Sequence, residues 1–176
     1  YDGAGWDIMN SGGLLLKSVT TIAGAANSTD ITLEENKIYK VIINVTSVNI
    51  DDSLALRFNN NSGANYTYTQ DGYNSAPAAI GVATTGATSL VLSEMDAGTA
   101  KIYLIGEYLI ETTQIGSTSA KLFGGSHSWN NAGQYQVVNV GGLAGLTAAV
   151  TSFRVITTGG NLISAKIYLY EFGLTA

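Results

Sequence analysis

Apolar and polar residues alternate along most of this 176-residue chain, and turn-forming residues separate the alternating segments. In KIYKVIINVTSVNI, residues 37–50, every second position of the first part is large and apolar: Tyr39, Val41, Ile43 and Val45. Successive side chains of a β-strand point to opposite faces, so these four share one face. The pattern therefore predicts a strand with one buried face and one solvated face.

The next alternating run, SLALRFNN at residues 53–60, places its two leucines and Phe58 on one side. The Asp-Asp pair at 51–52, between the two runs, is typical of a turn. Two alternating runs separated by a short turn signal favour a hairpin. We therefore predict that residues 37–60 form one long β-hairpin.

Further alternating segments, rich in Val, Ile, Thr and Tyr, follow at similar spacing. They lie at residues 64–70, 78–84, 89–95, 99–113, 118–124, 134–140, 150–157 and 163–171. GLAGLTAAV at 142–150 is the one candidate for a short helical turn, although its glycines disfavour it. Eight to ten short strands joined by Gly, Asn and Ser turns, without βαβ alternation, predict an antiparallel all-β sandwich or barrel.

One phrase occurs three times, as TAKIYLIGEY at 99–108, SAKLFGGSHS at 119–128 and SAKIYLYEFG at 164–173. The sequences around the copies do not align, whereas structural repeats normally match over the whole unit. We therefore interpret the phrase as one strand design used repeatedly, with Lys at the start of the strand. In the last copy it predicts Ile167 and Leu169 on the inner face.

The composition is poor in charge and rich in neutral polar residues. Charged residues are 12% of the chain, hydrophobic residues are 45%, and the net charge is −5. This is about half the usual share of charge, and Asn, Ser, Thr and Gly fill the segments between apolar runs. Such a surface suits a protein that packs against its own copies or works outside the cell.

The same composition excludes several kinds of partner and chemistry. The eight Lys and Arg residues are scattered singly, so we expect no nucleic-acid partner. Apolar runs are far shorter than the ~20 residues of a spanning helix, so we expect no membrane insertion. The absence of cysteine excludes disulfides and thiol chemistry. Because the chain opens on Tyr1, we expect a processed terminus or the start of a fragment.

Candidate catalytic residues are few. His127 is the only histidine, and its neighbours Ser126 and Ser128 point away from it on a strand, so neither is a natural triad partner. The carboxylate clusters lie at 34–35, 51–52, 94–96 and 107–111. The first two fall in predicted turns, and the last pair stands ~13 Å apart along a strand. We therefore expect no enzymatic activity and no required cofactor.

Two loops carry the oxygen ligands that calcium prefers. RFNNNSGANY at 57–66 and QDGYNS at 70–75 concentrate Asn and Asp beside Gly. The EF-hand spacing is not met and the ligand charge is low. Ca²⁺ binding is one reading of these loops, and turns in which Asn and Gly adopt positive φ are the other.

Aromatic residues with amide neighbours suggest a second kind of site. An exposed aromatic face can contact a sugar ring while an amide bonds its hydroxyl groups. The candidate glycan contacts are Tyr66, Tyr68, Tyr73, Trp129 and Asn130. The alternative is that these aromatic residues belong to the core or to a subunit interface.

Three segments carry a resemblance to a known class of protein. SLALRFNNNSGANYTY, residues 53–68, resembles small bacteriophage virion proteins, in which an L-x-L-R-F strand leads through an Asn/Gly/Ser loop to a Y-x-Y strand. VTSFRVITTGGNLISAKIYLYEFGL, residues 150–174, is similar to their C-terminal strand pair, although Ala165 stands where Gly is usual. The opening, from Gly13–Ser18 into LEENKIYKVIINV, is similar to their strand, polar turn and long strand.

The resemblance implies a non-enzymatic virion protein: a head decoration, head fibre or tail-fibre module. It implies a jelly-roll-like sandwich over residues 13–176, usually trimeric, located on the extracellular particle and bound to other virion proteins. Residues 1–12 would form an arm with apolar anchors, or else an edge strand of the same domain. The implied assembly contacts are Trp6, Ile8 and Met9 in the arm and Tyr168 and Tyr170 on the last strand.

Two other functions stay open at this point. A carbohydrate-binding module, or a receptor-binding tip that recognises a host surface glycan, would use the aromatic residues named above. An extracellular filament subunit would share the composition and would donate the 1–12 arm to a neighbouring subunit.

Overall fold

The computed structural model describes residues 13–76, 79–97, 104–112, 119–130, 132–146, 148–161 and 163–172. The described residues form twelve strands and no helix. The strands are β1 (Leu14–Ala25), β2 (Ile31–Thr32), β3 (Ile38–Val48), β4 (Asp52–Phe58), β5 (Tyr66–Asn74), β6 (Ala79–Ala87), β7 (Leu90–Met95), β8 (Leu104–Glu111), β9 (Ser119–Trp129), β10 (Tyr135–Gly145), β11 (Ser152–Thr157) and β12 (Ile163–Phe172).

These strands form two antiparallel sheets packed face to face. The large sheet has the order β1-β12-β3-β8-β9-β10-β5-β6, and the small sheet has the order β2-β11-β4-β7. One hydrophobic core contains residues of both sheets. The prediction of an antiparallel all-β sandwich is confirmed. Two strands, β1 and β2, are not among the ten that the alternation predicts. The first begins with three successive leucines rather than an alternation, and the second has only two residues.

The alternation in β3 was interpreted correctly, because Tyr39, Val41, Ile43 and Val45 are all buried. The predicted hairpin over 37–60 is wrong. Strand β3 pairs with β12 and β8 in the large sheet, whereas β4 pairs with β11 and β7 in the small sheet. Each run has a complete apolar face, and the two faces bury each other across the sandwich instead of lying side by side.

Asp52 at the crossing between the sheets is not an ordinary solvated turn residue. Its carboxylate accepts hydrogen bonds from the backbone N–H groups of Ser53 and Gly159, and from the Thr158 hydroxyl. Burial alone would raise the pKa of Asp52, but these hydrogen bonds, with one from Asn161, hold it below its ordinary value. Asp52 therefore fixes the β11–β12 turn onto the start of β4.

The segment proposed as a short helical turn also differs from expectation. Residues Gly142 to Gly145 continue strand β10, and none of the described residues between 142 and 150 is helical. A Cβ added at Gly142 would come within 2.6 Å of the Leu90 Cδ2 atom, which belongs to the small sheet. A larger residue at 142 would displace the Leu90 side chain and crowd the Tyr68 Cβ atom 3.1 Å away, so glycine favours close packing here.

Three neighbouring strands are joined by a carboxylate on β12. The Glu171 side chain is 10% exposed, and its two oxygens lie 2.8 Å from Lys17 Nζ and 2.6 Å from Lys37 Nζ. Lys17 is on β1 and Lys37 directly precedes β3. The hydrogen bonds from Lys17 and Lys37 hold the pKa of Glu171 below its ordinary value.

We predict that Glu171→Gln weakens the fold near neutral pH by about 1–2 kcal/mol, since a largely buried charge pair is broken. The folded-state pKa of Glu171 is lowered, so its contribution is complete above the ordinary glutamate pKa and is lost as the pH falls through the folded-state value. Thermal melting between pH 2 and 7 should show a smaller acid-side loss for the variant than for the wild type. Parallel curves would contradict this assignment.

Candidate functional site: the outer face of the large sheet

The outer face of the eight-stranded sheet carries large apolar side chains where an ordinary solvated face carries polar ones. Alternate residues of its strands point away from the small sheet, and several are substantially exposed. The most exposed of them are Leu14, Leu16, Val19, Tyr73, Ile105, Phe123, Tyr135 and Leu143. Single exposed apolar residues are normal, but a cluster on one face marks an interaction surface.

One register row of this face is apolar on four of the five successive strands from β1 to β9, with Lys40 on β3 as the exception. Leu16 on β1 is paired with Tyr170, which is paired with Lys40 on β3. The row continues through Leu109 on β8 to Phe123 on β9. Directly paired residues on one face lie within contact distance, so these side chains form one strip in which Lys40 is the single charged member.

Beside this strip is an apolar groove of about 520 Å³. Its outward-facing walls are built by Ile38, Leu109, Phe123 and Leu143 from four successive strands. Phe123 is 67% exposed and Leu143 is 42% exposed. The groove therefore presents two large apolar side chains that the single chain leaves in solvent. We name the groove and the adjoining strip the apolar end of the outer face.

The charges at the apolar end are paired with each other. Lys40 Nζ lies 2.7 Å from Glu107 Oε1, and Lys121 Nζ lies 3.2 Å from Glu111 Oε2. Glu107 and Glu111, weighed above as a carboxylate pair, therefore each have a lysine partner. Because the charges compensate, the surface offers little electrostatic resistance to a second apolar surface.

Tyr168 and Tyr170, the predicted contacts on the last strand, lie on this same outer face. Both are partly buried. Tyr168 is paired with Val19 on one side and Ile42 on the other, and Tyr170 is in the apolar row described above. The inward orientation predicted for Ile167 and Leu169 is confirmed, since both are buried. Their role as assembly contacts stays a prediction.

The opposite end of the outer face is aromatic. Trp129 and Tyr135 are directly paired across β9 and β10, and their ring centroids lie 5.9 Å apart in an edge-to-face arrangement. His127 Nδ1 is hydrogen bonded to the Tyr135 hydroxyl. Tyr73 on β5 is paired with Val137, which is paired with His127. We name these five residues the aromatic end of the outer face.

The predicted glycan contacts thus divide between the surface and the interior. Tyr73 and Trp129 lie at the aromatic end, but Tyr66 and Tyr68 are buried on the inner face of β5. The Tyr66 hydroxyl donates to the Asn61 carbonyl oxygen at 2.9 Å and accepts from Phe58 N–H at 3.0 Å. Neither buried ring can stack on a sugar, because Tyr66 and Tyr68 face the small sheet.

Asn130 is also unsuitable as a direct ligand residue, because it is buried and its amide holds the β9–β10 turn. Its Oδ1 accepts hydrogen bonds from the N–H groups of Ala132 and Gln134, and its Nδ2 donates to Gln134 Oε1. Trp6, Ile8 and Met9 of the predicted arm lie outside the described residues.

The first loop proposed for calcium is a turn stabilised by its own asparagines. Asn59 and Asn60 have φ of 49° and 51°, and the Asn61 N–H donates to the Phe58 carbonyl oxygen at 2.9 Å. Positive φ at both central positions is typical of a type I′ turn. The Asn59 amide donates to Ala149 and accepts from Thr151. Among the described residues no group of three or more His, Asp or Glu is arranged to hold a metal ion.

The single histidine stands apart from its serine neighbours. His127 is exposed on the outer face, whereas Ser126 and Ser128 are 1% exposed on the inner face. The Ser128 hydroxyl is hydrogen bonded to the Ser93 hydroxyl and to Gln136 Nε2, both at 2.8 Å. Neither neighbouring serine therefore faces His127.

Sequence reasoning missed the two exposed apolar residues of the groove, Phe123 and Leu143. The signal was present, because Leu109 and Phe123 occupy positions that a half-solvated strand would fill with polar residues. Leu109 and Phe123 lie in segments whose inner positions alone predict the strands, and Leu143 lies in residues 142–150, the candidate helical turn.

Comparison of the chain with protein-family models, with curated proteins and with solved structures finds no significant match. Within the part of the chain that the structure describes, there is no helix long and apolar enough to cross a membrane.

Proposed function

We propose that this chain is a non-enzymatic structural protein of a bacteriophage particle, and that it assembles with copies of itself through the apolar end of its outer face. The observation that carries the proposal is the groove with Phe123 and Leu143 at its walls. Removing apolar area from water contributes about 25 cal/mol per Å², so covering this surface is favourable. A second copy of the chain is the occupant that the low charge and neutral polar composition favour.

The strand connectivity supports the jelly-roll form of the sandwich. Setting aside the hairpins β5–β6 and β9–β10, four strands stay in each sheet, in the orders β1-β12-β3-β8 and β2-β11-β4-β7. Along the chain these eight strands cross between the sheets at every step except from β4 to β7. Jelly rolls of this kind occur in viral capsid and lectin domains. This supports the virion assignment as an analogy of fold.

The resemblance to small virion proteins favours a closed assembly of three copies that docks on other virion proteins. In such an assembly the outer faces meet around one axis, and Tyr168 and Tyr170 lie beside the groove at the contact. The two added hairpins widen the large sheet, and β9 and β10 supply Phe123 and Leu143 to the groove. The β9–β10 hairpin therefore extends the surface that the proposed contact uses.

The virion assignment is tested on the particle itself. Particles are purified by density gradient from the source whose genome carries this gene, and their proteins are identified by mass spectrometry. Peptides of this chain are expected to co-purify with the capsid protein at constant stoichiometry across the particle peak. Presence of the chain only in the soluble fraction would contradict the assignment.

A further inference from the structure

We propose that the aromatic end of the outer face is a carbohydrate-binding site that takes one neutral hexose ring of a surface glycan. This site is separate from the proposed subunit contact. Phe123 and His127 are four residues apart on β9, which corresponds to ~13 Å along the strand. The binding site and the assembly surface can therefore be occupied at the same time.

The first argument is the shape of the site. Tyr73 and His127 stand on either side of Val137, one strand away from it on each side. Neighbouring strands are ~4.8 Å apart, so the rings of Tyr73 and His127 stand ~10 Å apart. The smaller side chain of Val137 lies between them and forms the bottom of a trough. Aromatic contacts place ring centres 4.5–7 Å from their partner, so this trough has the width for one ring between two walls.

The second argument is the exposure of the walls. Tyr73 is 71% exposed, more than any other large apolar or aromatic side chain of the described residues, and Tyr135 is 39% exposed. A tyrosine face offers an apolar surface to the C–H groups of a sugar at a low cost in conformational entropy. A tyrosine so exposed in the large sheet does not serve the core, which lies on the opposite face.

The third argument is the polar row next to the trough. Asp71 and Asn139 are directly paired, two residues along their strands from Tyr73 and Val137, and both are exposed. Together they present carboxylate and amide groups to the hydroxyls of a ring lying on Tyr73. On the two flanking strands, Gly81 of β6 is paired with Asp71 and Gly125 of β9 is paired with Asn139. Their missing side chains leave the approach to both polar groups open.

Gly125 has a specific role in this row. A Cβ added at Gly125 would come within 2.8 Å of Asn139 Oδ1, so a larger residue would displace the amide.

The site is also held in shape before any ligand binds. The Trp129–Tyr135 contact and the hydrogen bond between Tyr135 and His127 fix one wall, and the buried amide of Asn130 fixes the adjacent turn. Preorganisation of this kind reduces the entropy cost of binding.

The charge of the site selects the ligand class. Asp71 is the one formally charged residue of the trough and of the polar row from Gly81 to Gly125, and the next residue of that row, Glu107, is already paired with Lys40. Phosphate and carboxylate ligands are recognised mainly by arginine and lysine, so sulfated, phosphorylated and sialylated sugars are not expected to bind. A neutral hexose matches an aromatic wall, one carboxylate and one amide.

The test is a printed array of neutral and acidic bacterial surface oligosaccharides, followed by calorimetric titration of the strongest neutral binder. The wild type is expected to bind neutral hexose oligosaccharides and not the acidic ones. Tyr73→Ala and Asp71→Ala should each weaken binding at least tenfold. Phe123→Ala, at the other end of the same face, should leave affinity unchanged within twofold.

Absence of any neutral glycan signal from the folded wild type would overturn the proposal, and so would binding that Tyr73→Ala and Asp71→Ala leave unchanged. Preferential binding of acidic sugars would overturn the assigned ligand class. Circular dichroism and melting temperature confirm that each variant is folded. Because solution mass is measured separately, failure of glycan binding and failure of self-assembly are distinguishable in the same samples.

Discussion

Replacing Phe123 and Leu143 together with serine is expected to give a folded chain that no longer assembles. Both side chains are substantially exposed in the single chain, so their loss should change the free energy of unfolding by no more than about 0.5 kcal/mol each. In the assembly they would be central apolar anchors, and truncating such anchors typically costs 2 kcal/mol or more each. Light scattering after size exclusion should report the mass of one chain, 18.3 kDa.

The matched control is Tyr73→Ser, because Tyr73 is exposed to almost the same extent as Phe123 and lies on the same sheet face. This control is expected to keep the wild-type assembled mass. An assembled mass for the double variant would show that the groove is not the subunit contact. Equal dissociation of both variants would mean that the contact covers the whole outer face.

The second large effect is expected for Gly124→Ala. Gly124 on β9 is paired with Tyr108, whose ring is fully buried. A Cβ at position 124 would come within 2.2 Å of the Glu107 carbonyl oxygen and 2.6 Å of the Tyr108 Cα. These are backbone atoms of the adjacent strand, so relief requires the strands to separate. We expect a loss of about 3 kcal/mol or more, equivalent to about 6–12 °C in melting temperature.

Gly141→Ala on the neighbouring strand is the control for this prediction. The nearest atom to a Cβ at 141 is Thr69 Oγ1 at 3.9 Å, an ordinary van der Waals contact. Its melting temperature should stay close to that of the wild type at the same protein concentration, which matters because assembly makes the midpoint concentration dependent. Equal melting temperatures for the two variants would refute the close packing of β8 and β9 around Gly124.

Strand positions could be predicted from the sequence because the alternation of apolar and polar residues is visible within each short segment. The alternation in β3 and in β12 directly specified which side chains are buried. Sheet membership could not be predicted in the same way. Strands β3 and β4 each carry one apolar face. Both faces are buried whether the two strands pair side by side in one sheet or belong to two sheets that pack face to face. The structure has the second arrangement, in which Asp52 accepts hydrogen bonds from residues 158–161, a hundred positions away in the chain.

The candidate sites were predictable in part for a related reason. Tyr73 and Trp129 were selected by residue type, and they do share a surface. Tyr66 and Tyr68 have the same residue type and the opposite environment, because one residue of register separates the inner face from the outer. His127 and Tyr135 join the site only through the pairing of β9 with β10. The groove requires four strands that are scattered from β3 to β10 along the chain.

The central claim is that the apolar end of the outer face is covered by another copy of the chain while the aromatic end stays open. Hydroxyl-radical footprinting of the wild type over a dilution series measures this directly, with Phe123 and Tyr73 as reporters of 67% and 71% exposure in the single chain. The account predicts that Phe123 oxidation falls as protein concentration rises and that Tyr73 oxidation stays constant. Phe123 oxidation that is independent of concentration, and equal to that of a monomeric control, would contradict it.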